Sequence, residues 1–199
     1  TSKGALFKKA WSERYKGIIE YRPRHNVVDV DSATNTLKFD FNDDVKAHVL
    51  NVVPPHRAGD IAHNTGLTTS NKRWCEVDWR TMESVAAKNV HILGDALQIA
   101  PLMPKSGHMA NQHGKVAAAA IVALLSCRPP NALPIYNNTC YSFVSDTDVV
   151  HVASVHRYDA EKKTMLTVPG SGGVSVAASE LEGRYAMAWA HNIWSDALM

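Results

Sequence analysis

Apolar and polar residues alternate along this chain with two periods, and each change of period marks a predicted element. Across residues 8–16 charged side chains surround Trp11 and Tyr15, which stand at helical spacing, so the segment predicts an amphipathic surface helix ended near Gly17. Residues 27–30 and 37–41 are β-prone runs flanking the turn-rich Asp31-Ser32-Ala33-Thr34-Asn35, which predicts a hairpin. Residues 48–53 read as a further strand, stopped by Pro54-Pro55 because proline has no N–H to give a ladder. A chain that opens on a helix and a hairpin, with no βαβ unit ahead of them, reads as lacking a first half.

A short helix over residues 57–63 is predicted next, then Gly66 and a loop to Trp74, then strands at 75–77 and along 89–96. The long helix expected over 106–126 has Ser106 as its N-cap, and the run Ala117 to Ala120 gives it high helix propensity and lets it approach a sheet closely. Cys127-Arg128-Pro129-Pro130 ends that helix, and a new unit is expected to open near Ile135. Its β-prone runs at 141–144, 149–158 and 165–168 predict a small antiparallel sheet. Gly170-Ser171-Gly172-Gly173 follows a strand without opening a βαβ unit and reads as a turn, not a phosphate loop. Ser179-Glu180-Leu181-Glu182 has capping-box spacing, and Leu181, Tyr185, Trp189 and Ile193 recur every four residues, which predicts a core stripe of at least three of them.

With 199 residues and 45% hydrophobic content, the chain has enough apolar side chain for one large domain or two small ones. Lys plus Arg number 21 against 19 Asp plus Glu, a formal +2, which makes no general field for nucleic acid or an acidic membrane. Small molecules or a protein are the expected partners. The longest apolar run, 116–125, is too short to span a bilayer, and residues 1–11 hold no signal-peptide core with a small-residue cleavage site. Cys75, Cys127 and Cys140 lie far apart with no Cys-x-x-Cys pair, so neither a zinc site nor a haem attachment is readable.

The strongest chemical signal is Asn89-Val-His-Ile-Leu-Gly-Asp-Ala96. A short apolar strand ending in Gly94-Asp95 puts a carboxylate at a strand's C-terminal edge, where open α/β sheets bind ligands. Pro104-Lys105-Ser106-Gly107-His108 then opens the long helix, whose free N–H groups near Gly107 and His108, together with Lys105, favour negative charge on a bound ring. Such a pairing suits a polyol joined to an electron-rich ring. On the local sequence alone two readings stand for each group: Asp95 as a ligand acceptor or as a cap, Lys105 as an anion partner or as a solvated lysine beside an ordinary helix end. Cys140, in Asn137-Asn138-Thr139-Cys140-Tyr141-Ser142, reads as part of a polar turn entering a strand. Its residues favour a buried inert cysteine, and a redox role requires a second sulfur brought close in space. Cys75 and Cys127 read as structural. His108 and His113 share a helix but not a face, so no metal site is expected, and nothing singles out His156 or His191 as a proton donor.

Asn51-Val-Val-Pro-Pro-His-Arg-Ala-Gly59, Val90-His-Ile-Leu-Gly-Asp95-Ala, Pro104-Lys-Ser-Gly107, Ala110-Asn, Gly114-Lys-Val-Ala-Ala-Ala-Ala120 and Asn138-Thr-Cys-Tyr-Ser142, in this order and spacing, resemble the C-terminal half of the flavoprotein subunit of flavocytochrome c sulfide dehydrogenase. The resemblance implies an α/β and α+β fold: a partial two-dinucleotide-binding-domain flavoprotein, glutathione-reductase-like, plus a small C-terminal α+β domain. Residues 1–53 are then the end of the second nucleotide-type domain, 54–130 the C-terminal part of the FAD-binding domain, and 131–199 a cytochrome-facing domain. It further implies a periplasmic enzyme that oxidises sulfide at FAD beside a redox-active disulfide and passes electrons singly to the haem of a c-type cytochrome subunit. Gly94, Asp95, Lys105, Ser106, Gly107 and His108 would form this chain's half of the FAD site, with Asp95 on the ribityl chain.

By the same resemblance Cys140 is one cysteine of the disulfide, and Trp189 matches an aromatic near the flavin on the cytochrome side. The second cysteine and the glycine-rich pyrophosphate fingerprint fall in an N-terminal half not present here, so the chain alone is expected to be inactive. The family pattern has an aromatic after Pro-Lys-Ser-Gly; here His108 stands there. Two alternatives remain: a non-catalytic module that docks a cytochrome, and an enzyme like sulfide:quinone oxidoreductase. The latter uses an apolar C-terminal membrane surface, whereas residues 179–199 carry Glu180, Glu182, Arg184 and Asp196.

Overall fold

The computed structural model describes residues 2–69 and 71–198. The chain divides into two compact units, Ala10–His56 and a larger one formed by Thr1–Lys9 with Arg57–Met199. Helix α1 (Gly4–Arg14) begins four residues ahead of the predicted start and ends in the smaller unit.

In the smaller unit β1 (Val27–Asp31) and β2 (Thr36–Phe39) make the predicted antiparallel hairpin, with Val30 opposite Leu37 and Asp31 opposite Thr36. The Asp31 carboxylate closes the turn by accepting the Ala33 and Thr34 amides and the Thr34 hydroxyl, and Asn35 takes the left-handed φ of 53° that the tight return requires. The strand expected over 48–53 does not form. Instead β3 (Val45–Lys46) occupies the edge of β2, opposite Thr36 and Leu37. With that edge taken, the following segment has no ladder to join, and Val49 and Val53 stand exposed.

Among the described residues the larger unit shows two apolar clusters. Ala58, Ala62 on α2 (Asp60–Asn64) and Cys75 form the smaller one, under Leu67 and Trp74. The main cluster packs Met82, Met103, Met109 and Met165 around Trp79, Leu97, Tyr136 and Tyr158, flexible thioethers filling the gaps between rigid rings. The Tyr136 hydroxyl donates to the Trp79 carbonyl at 2.5 Å, and burial raises its pKa.

Strands β4 (Val77–Asp78) and β5 (Glu83–Ser84) are a two-residue antiparallel pair. The apolar stretch predicted as a strand from Asn89 is extended but makes only a single bridge, His91 to Glu83, before a 3₁₀ turn at Gly94–Ala96. Partners two residues long offer it no ladder. Asp95 therefore sits on a turn and not at the edge of a parallel sheet, and all paired strands among the described residues run antiparallel. The observed class is mixed α/β with antiparallel sheets.

Helix α3 (Gly107–Leu125) starts as predicted: Ser106 is extended and its Oγ accepts the Met109 N–H. Its buried face is Met109, His113, Ala117 and Ala120, so only the outer pair of the alanine run serves the close approach, while Ala118 and Ala119 are exposed. Strands β6 (Ile135–Phe143) and β7 (Val149–Asp159) pair along the whole of β6, from Ile135 opposite Arg157 to Phe143 opposite Val149. β8 (Thr164–Thr167) and β9 (Gly173–Val174) pair with β7 at Arg157 and Val152, respectively. β6 begins well before the predicted residue 141. Its polar Asn137-Asn138-Thr139 resembles a turn in sequence, yet Tyr136 and Asn138 are buried while Ile135 and Asn137 are exposed, the two-residue period of a strand. Cys140 is thus within a strand, opposite Val152.

In α4 (Glu180–Leu198) only half of the capping box forms. Ser179 Oγ accepts the Glu182 N–H, while Ser179's own N–H goes to the Val149 carbonyl and the Glu182 carboxylate turns to Ser175. The predicted core stripe also needs correcting, because Leu181 and Tyr185 are exposed, Trp189 and Ile193 half-buried, and the buried residues are Gly183 and Ala186. The cause is backbone proximity: a Cβ at Gly183 would lie 2.0 Å from the Thr147 carbonyl oxygen. Helix propensity alone favours Gly183→Ala by about 1 kcal/mol, but a clash with backbone cannot be relieved by a rotamer change. The substitution should destabilise the fold by about 2–3 kcal/mol in urea unfolding, with exposed Arg184→Ala as a near-neutral control; a stabilised Gly183→Ala would contradict this packing.

Candidate functional site

The turn carrying Gly94 and Asp95 is held from two sides. Gly94 has a left-handed φ of 67°, and a Cβ there would stand 3.3 Å from the Ala110 Cβ on α3, so the position requires glycine both for its backbone and for its closeness to the helix. Its N–H donates to His113 Nδ1 at 3.2 Å. From the other side Lys105 Nζ donates to the carbonyls of Asp95 and Leu97, each at 2.6 Å, with its charge 3.7 Å from the centre of the Trp74 ring. Lys105 is therefore a clamp on the turn's backbone, not a solvated lysine, and burial lowers its pKa. The Asp95 side chain is exposed and makes no hydrogen bond or ion pair among the described residues.

The first turn of α3 is fastened to β6. Ser106 Oγ donates to Asn138 Oδ1 at 2.6 Å, and the Thr139 N–H donates to His108 Nδ1 at 2.9 Å. His108 Nδ1 is thus an acceptor, which puts the ring's proton on Nε2, and burial lowers its pKa. The Gly107 and His108 amides have no acceptor among the described residues, and a Cβ on Gly107 would meet nothing within 4 Å. Two donors without an acceptor among the described residues thus stand at the positive end of a 19-residue helix.

Cys140 follows directly after the fastened pair. By strand alternation its side chain shares a face with Asn138 and Ser142, and the ammonium of buried Lys3 donates to the Cys140 carbonyl at 3.0 Å and to Ser142 Oγ at 2.6 Å. The three cysteines are free. Cys127 lies beyond the far end of α3, about 28 Å along the helix from the turn that meets β6, and Cys75 is wholly buried in the smaller cluster, where burial raises its pKa. From His108 a row of rings leads away: Trp189 edge-on at 5.6 Å, Tyr141 at 5.9 Å from Trp189, and His151 at 6.0 Å from Tyr141. His151 Nδ1 lies 3.0 Å from Glu182. Trp189 Nε1 is buried without a hydrogen-bond partner.

The structure thus joins Ser106, Gly107, His108, Cys140 and Trp189 around one helix end, and ties Gly94 and Lys105 to the turn beside α3. Lys3, His113, Asn138 and Tyr141 were not foreseen. The alternation of β6 would have indicated Asn138 beside Cys140, but no sequence pattern points to Lys3 or to the acceptor role of His113. A pocket of about 350 Å³ bounded by Glu76, Trp79, Gln98 and Lys163 contains none of the predicted site residues. Among the described residues no cluster suits a metal ion.

An unpaired carboxylate, a helix amide end and a strand thiol stand in the larger unit of a mixed α/β fold. Two family models match the chain: flavocytochrome c sulphide dehydrogenase, flavin-binding, over residues 132–198, and the central part of the sulfide dehydrogenase (flavocytochrome c) flavoprotein chain, over residues 1–54. The chain belongs to the flavocytochrome c sulfide dehydrogenase flavoprotein family. The flavin-binding match contains Asn138, Cys140, Tyr141 and Trp189, and residues 94–108 lie between the two matches. Membership implies a flavin-dependent sulfide dehydrogenase subunit with FAD as cofactor and a cytochrome as partner. No helix among the described residues is long and apolar enough to cross a membrane.

The turn's attachment through His113 makes acid stability a test of this geometry. Burial pushes the His113 pKa from 6.5 down to about 4, so between these pH values the unfolded chain binds more protons than the folded one. The contribution is complete above pH 6.5 and is lost as pH falls towards 4, about 3 kcal/mol in all. Urea unfolding at pH 7 and pH 4.5 should show a larger loss in the wild type than in His113→Phe, by about this amount; equal losses in both would contradict the burial of a neutral ring.

Proposed function

We propose that this chain supplies one side of the active site of a periplasmic FAD-dependent sulfide dehydrogenase, within a glutathione-reductase-like architecture of two dinucleotide-binding domains, and that electrons leave for the haem of a c-type cytochrome subunit. The observation that carries this reading is the fastening of the Cys140 strand to the open amide end of α3, through Ser106 with Asn138 and His108 with Thr139. FAD, when bound, supplies a two-electron acceptor that releases electrons one at a time.

The residues present fit that group. The unpaired Asp95 carboxylate would accept from the ribityl hydroxyls, and the Gly107 and His108 amides would donate to the electron-rich ring. Lys105 keeps the Asp95 turn in place by holding its carbonyls. Cys140 supplies one sulfur of a redox disulfide whose second sulfur comes from outside this chain, so the chain by itself does not turn over sulfide. Hydrosulfide attacks one sulfur of that disulfide; a new S–S bond forms as the old one breaks, the proton stays on the added sulfur, and the displaced sulfur leaves as thiolate. Trp189 and Tyr141 continue from the helix end as a row of rings suited to carrying electrons outward.

A second reading, a module that only docks a cytochrome, is favoured by the exposed Leu181, Tyr185, Met187 and Trp194 on α4. Anaerobic titration of sulfide into the subunit assembled with FAD separates the two. The flavin absorbance near 450 nm is expected, at about the usual flavin wavelength, to appear and then bleach with sulfide. Cys140→Ser should keep the band and lose the bleaching, and Asp95→Ala should weaken FAD binding roughly tenfold to a hundredfold. Failure of the assembled subunit to take up flavin would leave only the docking module.

A further inference from the structure

We propose that His113 is a positioning residue for the cofactor turn: its imidazole, by accepting the Gly94 N–H, anchors the start of the turn that carries the Asp95 carboxylate. The identity of the ligand rests on the flavin reading above, whereas the clamp itself rests on geometry alone.

His113 stands in the apolar stripe of α3, between Met109 and Ala117, and is 2% exposed. Its ring is wedged between Trp79 and Tyr136, with centroids at 5.9 and 5.4 Å, so it cannot turn over without displacing the core. Nδ1 faces the Gly94 N–H at 3.2 Å, which assigns the proton to Nε2, and Nε2 is buried with no partner. An orphaned buried N–H is costly, and a hydrocarbon side chain would fill the same stripe without that cost. What a hydrocarbon cannot provide is an acceptor for Gly94.

Gly94 needs one. Its left-handed backbone lies close to α3, where a Cβ would stand 3.3 Å from the Ala110 Cβ, and its N–H has no other acceptor among the described residues. The Gly94 N–H belongs to the peptide that joins Leu93 to Gly94, one residue ahead of Asp95, so holding it anchors the start of the turn that carries the carboxylate. Lys105 holds the two carbonyls that follow, at Asp95 and Leu97. One side chain thus holds the turn by its amide and the other by its carbonyls, leaving the Asp95 carboxylate as its free group.

Two variants, made in the subunit assembled with its N-terminal half, separate this role from mere packing. His113→Phe keeps a ring between Trp79 and Tyr136 but removes the acceptor, while His113→Asn places Oδ1 near the position of Nδ1 but removes the ring. Amide hydrogen exchange at Gly94 and the FAD dissociation constant from quenching of flavin fluorescence are the readouts. The Phe variant is expected to exchange Gly94 on the order of tenfold faster and to bind FAD on the order of tenfold more weakly, with Asn recovering most of both. Packing alone predicts the reverse order, with Phe benign and Asn impaired, and that result overturns the proposal. Should His113→Phe not fold, the ¹⁵N shifts of the wild-type ring decide: an unprotonated Nδ1 at neutral pH is expected, and a protonated one overturns the clamp. An assembled wild-type subunit that binds no FAD while Gly94 exchange still follows the acceptor at 113 would sink the flavin reading and support the clamp.

Discussion

Two hydrogen bonds between the first turn of α3 and strand β6 hold the candidate site together. Ser106 uses one hydroxyl twice, donating to Asn138 and accepting from Met109, so the group that caps the helix also fixes it to the strand. His108 receives the next strand amide, from Thr139. Because Asn138 is buried, parting this seam would strand its side-chain oxygen away from water, a penalty of about 1–3 kcal/mol on top of the lost bond. The seam is what places a strand thiol beside a helix amide end.

The same device recurs at the turn. A half-buried and a buried imidazole, whose pKa values desolvation lowers, accept backbone amides from the two segments that carry candidate chemistry: His108 from the Cys140 strand and His113 from the Gly94 turn. Carbonyls of those segments are held by lysines, Lys105 at Asp95 and Leu97, Lys3 at Cys140. Irregular backbone near a core must satisfy its N–H and C=O groups through side chains. Among the described residues the Asp95 carboxylate and the Gly107 and His108 amides stay without a partner beside these fastened segments.

The parts of the fold legible in sequence were those set by local chemistry. The Asp31 to Asn35 turn, the Ser106 cap and the breaker after Cys127 each specify themselves within a few residues, and all three were found. Where neighbours decide, sequence was a poor guide. The run over 48–53 had strand propensity but no free edge, and the Asn89 stretch had only two-residue strands to pair with. Asn137-Asn138-Thr139 concealed the start of β6 because buried polar residues look like a turn. The face of α4 was misread because Gly183 lets backbone approach backbone, which buries the small side and leaves Leu181 and Tyr185 outside. At the site, the glycine, the carboxylate and the cysteine were visible as residue types, whereas the contacts of Lys3 and His113 depend on long-range packing that no spacing encodes.

The central claim is that the Gly94–Asp95 turn, the start of α3 and Cys140 face one flavin. A crystal structure of the FAD complex tests it most directly. It should place the isoalloxazine against the Gly107 and His108 amides and in contact with the Cys140 sulfur, with Asp95 on the ribityl hydroxyls. A flavin bound elsewhere, or Asp95 turned to solvent while the cofactor is present, would contradict it.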